Sequence, residues 1–274
     1  MTSLPLTSPN GSAGLHDACR LLRQQWPSHW EGLPSILTQC QQALQLCDTR
    51  HPDTMALNQF AWQVANAMEN QVLKSTYAEP SYHNRLHTAD VLVSLTTLLR
   101  SLHDMAPSPQ AEVWSSALLA AAVAHDYQHP GGVNQSLFEI ETASWQGILG
   151  LASPVPSHWR ACIETLILRT DPQVVAENHQ RVAEQAFEWT TAWAQVLLNE
   201  ADILVSATAE FGPGLSEALA KEWAQVGFAA HATVATPAGR AFFLRSARFS
   251  SPAAKALGLP RWVQDQLTSL QHMD

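Results

Sequence analysis

The sequence predicts an all-α protein, and three observations carry the prediction. Apolar residues recur at helical spacing in almost every window from Leu15 onward. No run alternates apolar and polar residues, and no hairpin dipeptide separates two apolar stretches. Two Ser-Pro pairs, Ser108-Pro109 and Ser251-Pro252, suit an N-cap followed by a first-turn proline.

The first 14 residues, rich in Ser, Pro, Gly and Asn, read as a flexible N-terminus, and 15–274 as a single helical domain. Leu15, Cys19, Leu22 and Trp26 mark a first helix; Ile36, Cys40, Ala43, Leu44 and Cys47 mark a second. A third is predicted over about 53–75 and a fourth over about 84–104, where Leu86, Val91, Val93, Leu95 and Leu98 are apolar. Ser108 caps the next, whose string VWSSALLAAAVAHD is apolar on every side and therefore enclosed by other helices. Further helices are expected near 134–150, 156–169, 180–209, 214–232 and 236–247. Ser251-Pro252 opens a short last one, stopped by Gly258 and Pro260.

Composition narrows the function classes. An apolar fraction of 46% supports a large core, and only 14% of residues are charged. Ten Trp in such a chain call for large covered faces, and a homodimer interface is one way to cover them. The net charge of −9, with its fifteen scattered Lys and Arg, excludes a nucleic-acid footprint. It leaves room for a phosphate substrate whose charge is masked by bound cations. No apolar stretch suits a membrane span, and the first residues lack the pattern of a signal peptide. Cys19, Cys40, Cys47 and Cys162 show no CxxC spacing and read as free thiols, so the cytoplasm is the expected location.

Three segments carry the chemistry. YHNRLHTAD holds His83 and His87 four residues apart, which on one helix places them on one face. By itself such a pair is ordinary. AAAVAHDYQHPGGVNQ then places His125-Asp126 at the end of an apolar helix, with His129 shortly after and a Pro-Gly-Gly turn directly behind it. A buried carboxylate is costly unless it is paired or bound to a metal. Asp202, in VLLNEADILVSA, is the third piece, an acidic residue in apolar surroundings. Glu200, two residues earlier, projects from another face and reads as the more solvent-facing of the two.

These strings resemble the signature of class I 3′,5′-cyclic-nucleotide phosphodiesterases, members of the HD phosphohydrolase superfamily. The family pattern is YHNxxHxxD, then HDxxHPGxxN, then a lone Asp late in the chain. All of it is present between about 80 and 210. The resemblance implies a compact multi-helix HD-type domain. It implies that His87, His125, Asp126 and Asp202 hold a first divalent metal, zinc or else iron or manganese. Asp126 would bridge to a second, magnesium or manganese. His129 and Thr170 would hold waters around the metals, with Tyr82 and Asn134 in supporting or substrate-facing positions, and His83 would be the general acid. Two cations can deprotonate a bridging water and clamp the phosphoryl oxygens, while an imidazole protonates the departing ribose oxygen.

The pattern also departs from the family in two places. A glutamate and a Glu-Asn-His-His string expected after HPG are missing. Without gaps the glutamate position falls on Ala143, so Glu139 or Glu141 would have to substitute. The purine-reading glutamine is missing too: between Gln225 and Gln264 the chain reads GRAFFLRSARFSSPAAKALG. Phe242 or Phe243 would be an aromatic wall and Arg240 a contact for a further anionic group; the plainer reading is a helix with an apolar core face and solvated arginines.

The implied activity is hydrolysis of a 3′,5′-cyclic nucleotide, cAMP or cGMP, to its 5′-monophosphate. Two other readings stand beside it. One is an HD-type phosphohydrolase acting on another nucleotide or phosphoester. The other is a metal- or ligand-binding module without catalysis, which the presence of His83 argues against.

Overall fold

The computed structural model describes residues 3–7, 11–74, 79–151 and 155–272. Helices α1 (Gly11–Gln25), α2 (Leu33–Ala43) and α3 (Pro52–Lys74) lead into α4 (Arg85–Met105), the central helix. From His87 to Leu99 every residue of α4 is buried. It packs against α1, α2, α5 (Ala111–Ala124) and α9 (Thr191–Leu204), and against the short α12 (Pro252–Ala256). Helix α5 is buried without a break from Ser115 to Ala124, as its all-round apolar sequence requires, and touches α3, α4, α7 (Ser157–Leu168) and α9. The remaining elements are α6 (Glu139–Ile148), α8 (Val175–Val182), α10 (Gly212–Gln225), α11 (Pro237–Ser246) and α13 (Leu259–Gln271). Among the described residues there is no strand, and no helix is long and apolar enough to cross a membrane.

Several boundaries differ from expectation for identifiable reasons. Residues 180–209 are not one helix. Helix α8 ends at Val182 and α9 restarts at Thr191, where the Thr190 hydroxyl caps the Trp193 amide and the Trp193 indole donates to the Ala186 carbonyl. The stretch 214–232 breaks at Gly227, whose φ of 72° ends α10 before a 3₁₀ turn over Ala229–Ala232. Ser108 makes a local turn with the Gln110 amide, and α5 begins at Ala111. Ser251 does cap α12, through the Ala254 amide. That helix ends just before Gly258, whose φ is 75°, as expected, whereas Pro260 lies in the first turn of α13.

The N-terminus expected to be flexible is packed where it is described. Leu4 and Leu6 are buried, the Leu4 amide donates to Gln39 Oε1, and Arg100 donates to the Leu6 carbonyl. Apolar side chains outweigh the loop-forming composition around them. Cys19 and Cys40 are buried, Cys162 is half-buried and Cys47 is exposed, all as free thiols.

Candidate active site

The three segments singled out in the sequence converge. Asn84 caps α4, its Oδ1 accepting from the Leu86 and His87 amides, and so fixes His87 in the first turn. His125 and Asp126 come directly after the last residue of α5, and Asp202 lies near the C-terminal end of α9. His87 Nε2 is 3.3 Å from Asp126 Oδ2 and 3.0 Å from Asp202 Oδ1. His125 Nε2 is 3.2 Å from Asp126 Oδ2 and 3.6 Å from Asp202 Oδ1. Each imidazole thus faces both carboxylates, and His87, His125 and Asp126 lie close enough together to hold one ion.

The chemistry of this donor set fits a metal ion. His125 Nδ1 donates to the Ala122 carbonyl at 2.8 Å, which leaves the Nε2 lone pair facing the carboxylates. Both His125 Nε2 and Asp126 Oδ2 are buried without a hydrogen-bond partner. Orphaned acceptors turned toward one another repel unless a positive charge lies between them. The electrostatics say the same. Burial opposes protonation of His87, yet Asp126 and Asp202 push its pKa up to about 9. His125 is raised likewise against burial, and both carboxyls are held below their usual range by the imidazoles. The cluster demands a cation, whether a proton or a metal.

His83 stands outside the cluster. It precedes the Asn84 cap rather than sharing a helix face with His87, and the two rings lie 5.7 Å apart, nearly perpendicular. Its partner is Glu222 of α10, unforeseen in the sequence. Glu222 Oε1 lies 2.5 Å from His83 Nδ1, and Oε2 accepts from the Tyr82 and His83 amides. Burial raises the Glu222 carboxyl, but the His83 contacts outweigh it and hold the group below its ordinary value. An ionised carboxylate on Nδ1 orients the ring and leaves Nε2 to act. No local signal separates Glu222 from Glu217 on the same helix; only the fold brings it 139 residues back to His83.

The surrounding residues divide unevenly. His129 stacks on His83 with 3.7 Å between ring centroids, and its Nδ1 accepts from the Gly131 amide. Burial and the neighbouring His83 lower its pKa to about 4, so it is neutral. Tyr82 packs its ring on His83 and His87 and pairs its hydroxyl with Ser206; burial pushes that hydroxyl well above its usual pKa. Asn134 bridges the Ile140 amide and Glu141. The Thr170 hydroxyl is spent on the Ile167 carbonyl. A groove runs past His83, His129 and Asp126 toward Gln71 and Gln128.

Three expectations are corrected. Glu200 is not the solvent-facing acid: it is fully buried, accepts from the Ser250 and Ser251 amides and the Ser251 hydroxyl, and burial lifts its pKa to about 7. It anchors the start of α12. Arg240 is neither solvated nor turned to a substrate. It is buried and donates to the Ser206 and Thr208 carbonyls and to Gln266. Phe242 is no pocket wall, being 70% exposed, while Phe243 packs on the core with Arg240 over its ring. The half-buried Trp189 and the buried Trp193 flank Phe187.

Comparison with known proteins agrees with this geometry. The model of the 3′5′-cyclic nucleotide phosphodiesterase family matches residues 82–150, the stretch that carries His83, His87, His125, Asp126 and His129. No curated protein matches the chain. The phosphodiesterase domain of the RhoPDE fusion protein from the choanoflagellate Salpingoeca rosetta has a similar structure. Its TM-score is 0.61 at 18% identity, over 88% of this chain and 90% of that one. LmjPDEB1, solved in complex with IBMX, gives a TM-score of 0.56 at 15% identity, over 97% of this chain and 98% of that one. At such identities the likeness establishes the fold: an all-α domain of the phosphodiesterase type. The family match is confined to residues 82–150, and beyond it the likeness is one of fold.

Proposed function

We propose that this protein hydrolyses a 3′,5′-cyclic nucleotide to the 5′-monophosphate, with cAMP and cGMP as first candidates. The observation that carries this is the meeting of His87, His125, Asp126 and Asp202 within 3.0–3.6 Å, with the His83–Glu222 pair beside them. The first four would hold a zinc-class ion, and Asp126 would share a second, magnesium or manganese. Divalent cations there would mask the phosphate's charge and make hydroxide available at neutral pH.

The protein's own residues supply the rest. His83, oriented by Glu222, delivers a proton to the ribose oxygen as the phosphodiester bond breaks. His129, neutral and stacked on His83, adds no competing positive charge beside it. Tyr82, tied to Ser206, fixes both His83 and His87 from one side.

The test is a panel of cyclic nucleotides and phosphomonoesters assayed with Mn²⁺. Turnover of at least one cyclic nucleotide, lost on chelation, is expected; hydrolysis confined to monoesters would overturn the proposal. A second reading, an HD-type enzyme for another phosphoester, is favoured by one observation. The segment expected to carry a purine-reading glutamine instead places Arg240 in the interior and Phe242 in solvent. Monoester-only turnover would establish that reading.

A further inference from the structure

His83 lies outside any helix, in the stretch 79–84 that leads into α4. One side of that stretch is held by Glu222, whose Oε2 accepts from the Tyr82 and His83 amides. Arg85 holds the other. Its backbone amide and Nε donate to Glu79 Oε1 at 3.1 and 2.9 Å, and its Nη2 donates to Glu79 Oε2 at 2.9 Å. The guanidinium thus ties residue 85 back to residue 79, with His83 inside the loop. Its Nη1 donates to Glu69 of α3. Glu69 reaches further, accepting from the Trp30 indole at 2.9 Å and from the Leu33 amide, at the start of α2, at 2.7 Å.

The side chains of Arg85, Glu69 and Glu79 are only 12%, 15% and 16% exposed, so water screens their charges little. Burial opposes the charge on Arg85, but the two carboxylates outweigh it and raise its pKa. A planar guanidinium meets two carboxylates in fixed directions, which an ammonium does not. Arg85 also lines the groove that passes His83, His129 and Asp126. Its charge is already matched by Glu69 and Glu79, which suits a wall of that groove rather than a clamp for phosphate. The start of α4 has ties of its own. Asn84 caps it through the Leu86 and His87 amides, and its Nδ2 donates to the Pro80 and Ser81 carbonyls. Loss of Arg85 therefore leaves His87 anchored and loosens the segment ahead of it.

We propose that Arg85 is a positioning residue for His83: through Glu79 and Glu69 it fixes the turn that holds the imidazole against Glu222, 5.7 Å from the His87 ring. This deepens the proposed function and rests on its assignment of His83 as the proton donor. A reacting group misplaced by about 1 Å can lose on the order of 10²-fold in rate, so a side chain that never meets the substrate controls the step.

The test compares Arg85→Gln, His83→Ala and the double variant in the full-length protein loaded with diamagnetic Zn²⁺ and Mg²⁺. Cyclic-nucleotide turnover and the ¹⁵N-histidine NMR spectrum are the readouts. Arg85→Gln is expected to lower kcat by roughly 10–100-fold, with KM and metal content unchanged. The double variant is expected to be no slower than His83→Ala, because residues that act as one unit are not additive. In the spectrum, the His83 Nδ1 proton bonded to Glu222 is expected in the wild type and lost in Arg85→Gln. Arg85→Lys, which meets one carboxylate at a time, should lose less and carries the same test if the glutamine variant does not fold. A wild-type kcat in Arg85→Gln would overturn the proposal, as would a further loss in the double variant or a fall in metal content. The spectrum needs no substrate. A wild type that turns over no cyclic nucleotide sinks the proposed function, whereas an unchanged Nδ1 proton in Arg85→Gln sinks the positioning role alone.

Discussion

The metal-ligand cluster and the late-helix region bury their polar groups in opposite ways. Around α4, α5 and α9, His125 Nε2 and Asp126 Oδ2 are buried without a hydrogen-bond partner. Around α11 and α12, Arg240 and Glu200 are buried just as deeply, but each is spent: Arg240 on two carbonyls and a glutamine, Glu200 on two amides and a hydroxyl. Both arrangements satisfy the cost of burying a polar group. One does so with protein partners and is scaffold; the other suits a cation and is the candidate metal site. In the sequence the two look alike, since each is a charged residue inside an apolar run.

Substitutions can break or sharpen this contrast, the largest effect first. Asp126→Ala removes an atom shared by both proposed cation positions, so elemental analysis should show lost metal and turnover should fall to background. His83→Ala should keep its metal and lose roughly 10²–10⁴-fold in kcat. A wild-type rate there would mean that another group donates the proton. Glu222→Gln removes a charged hydrogen bond of about 1.5–3 kcal/mol, so kcat should drop by about tenfold or more with metal content unchanged.

Arg240→Ala tests the other side. It leaves the Ser206 and Thr208 carbonyls without their donor, a loss of about 3 kcal/mol, and should lower Tm by roughly 5–10 °C. Metal content should not change. A raised KM at unchanged Tm would return Arg240 to the substrate. His179 is a sharper case, because its Nδ1 pairs with Ser250 while its Nε2 is buried without a partner. Burial, aided by Arg248, lowers its pKa to about 4. A folded pKa below the unfolded value of about 6.5 means the folded state binds fewer protons, so stability is full above that value and declines as pH falls toward 4. Melting curves over this window should slope less for His179→Gln than for the wild type. Phe242→Ser should have the smallest effect, with kcat/KM unchanged, because the side chain is in solvent.

Much of this protein was legible in one dimension. Helical periodicity and the uninterrupted apolar run of α5 determined the all-α class, and the paired strings around His83 and His125 marked the candidate site. Those signals are local: a residue's spacing to its neighbours is fixed by the chain itself. The Glu222 partner of His83 and the inward turns of Glu200 and Arg240 were decided by tertiary structure alone. Each depends on which distant amide, carbonyl or carboxylate the packing of α4 against α9 and its neighbours sets opposite a side chain. Sequence spacing carries no record of that, so it located the acids and bases, and the fold assigned their partners.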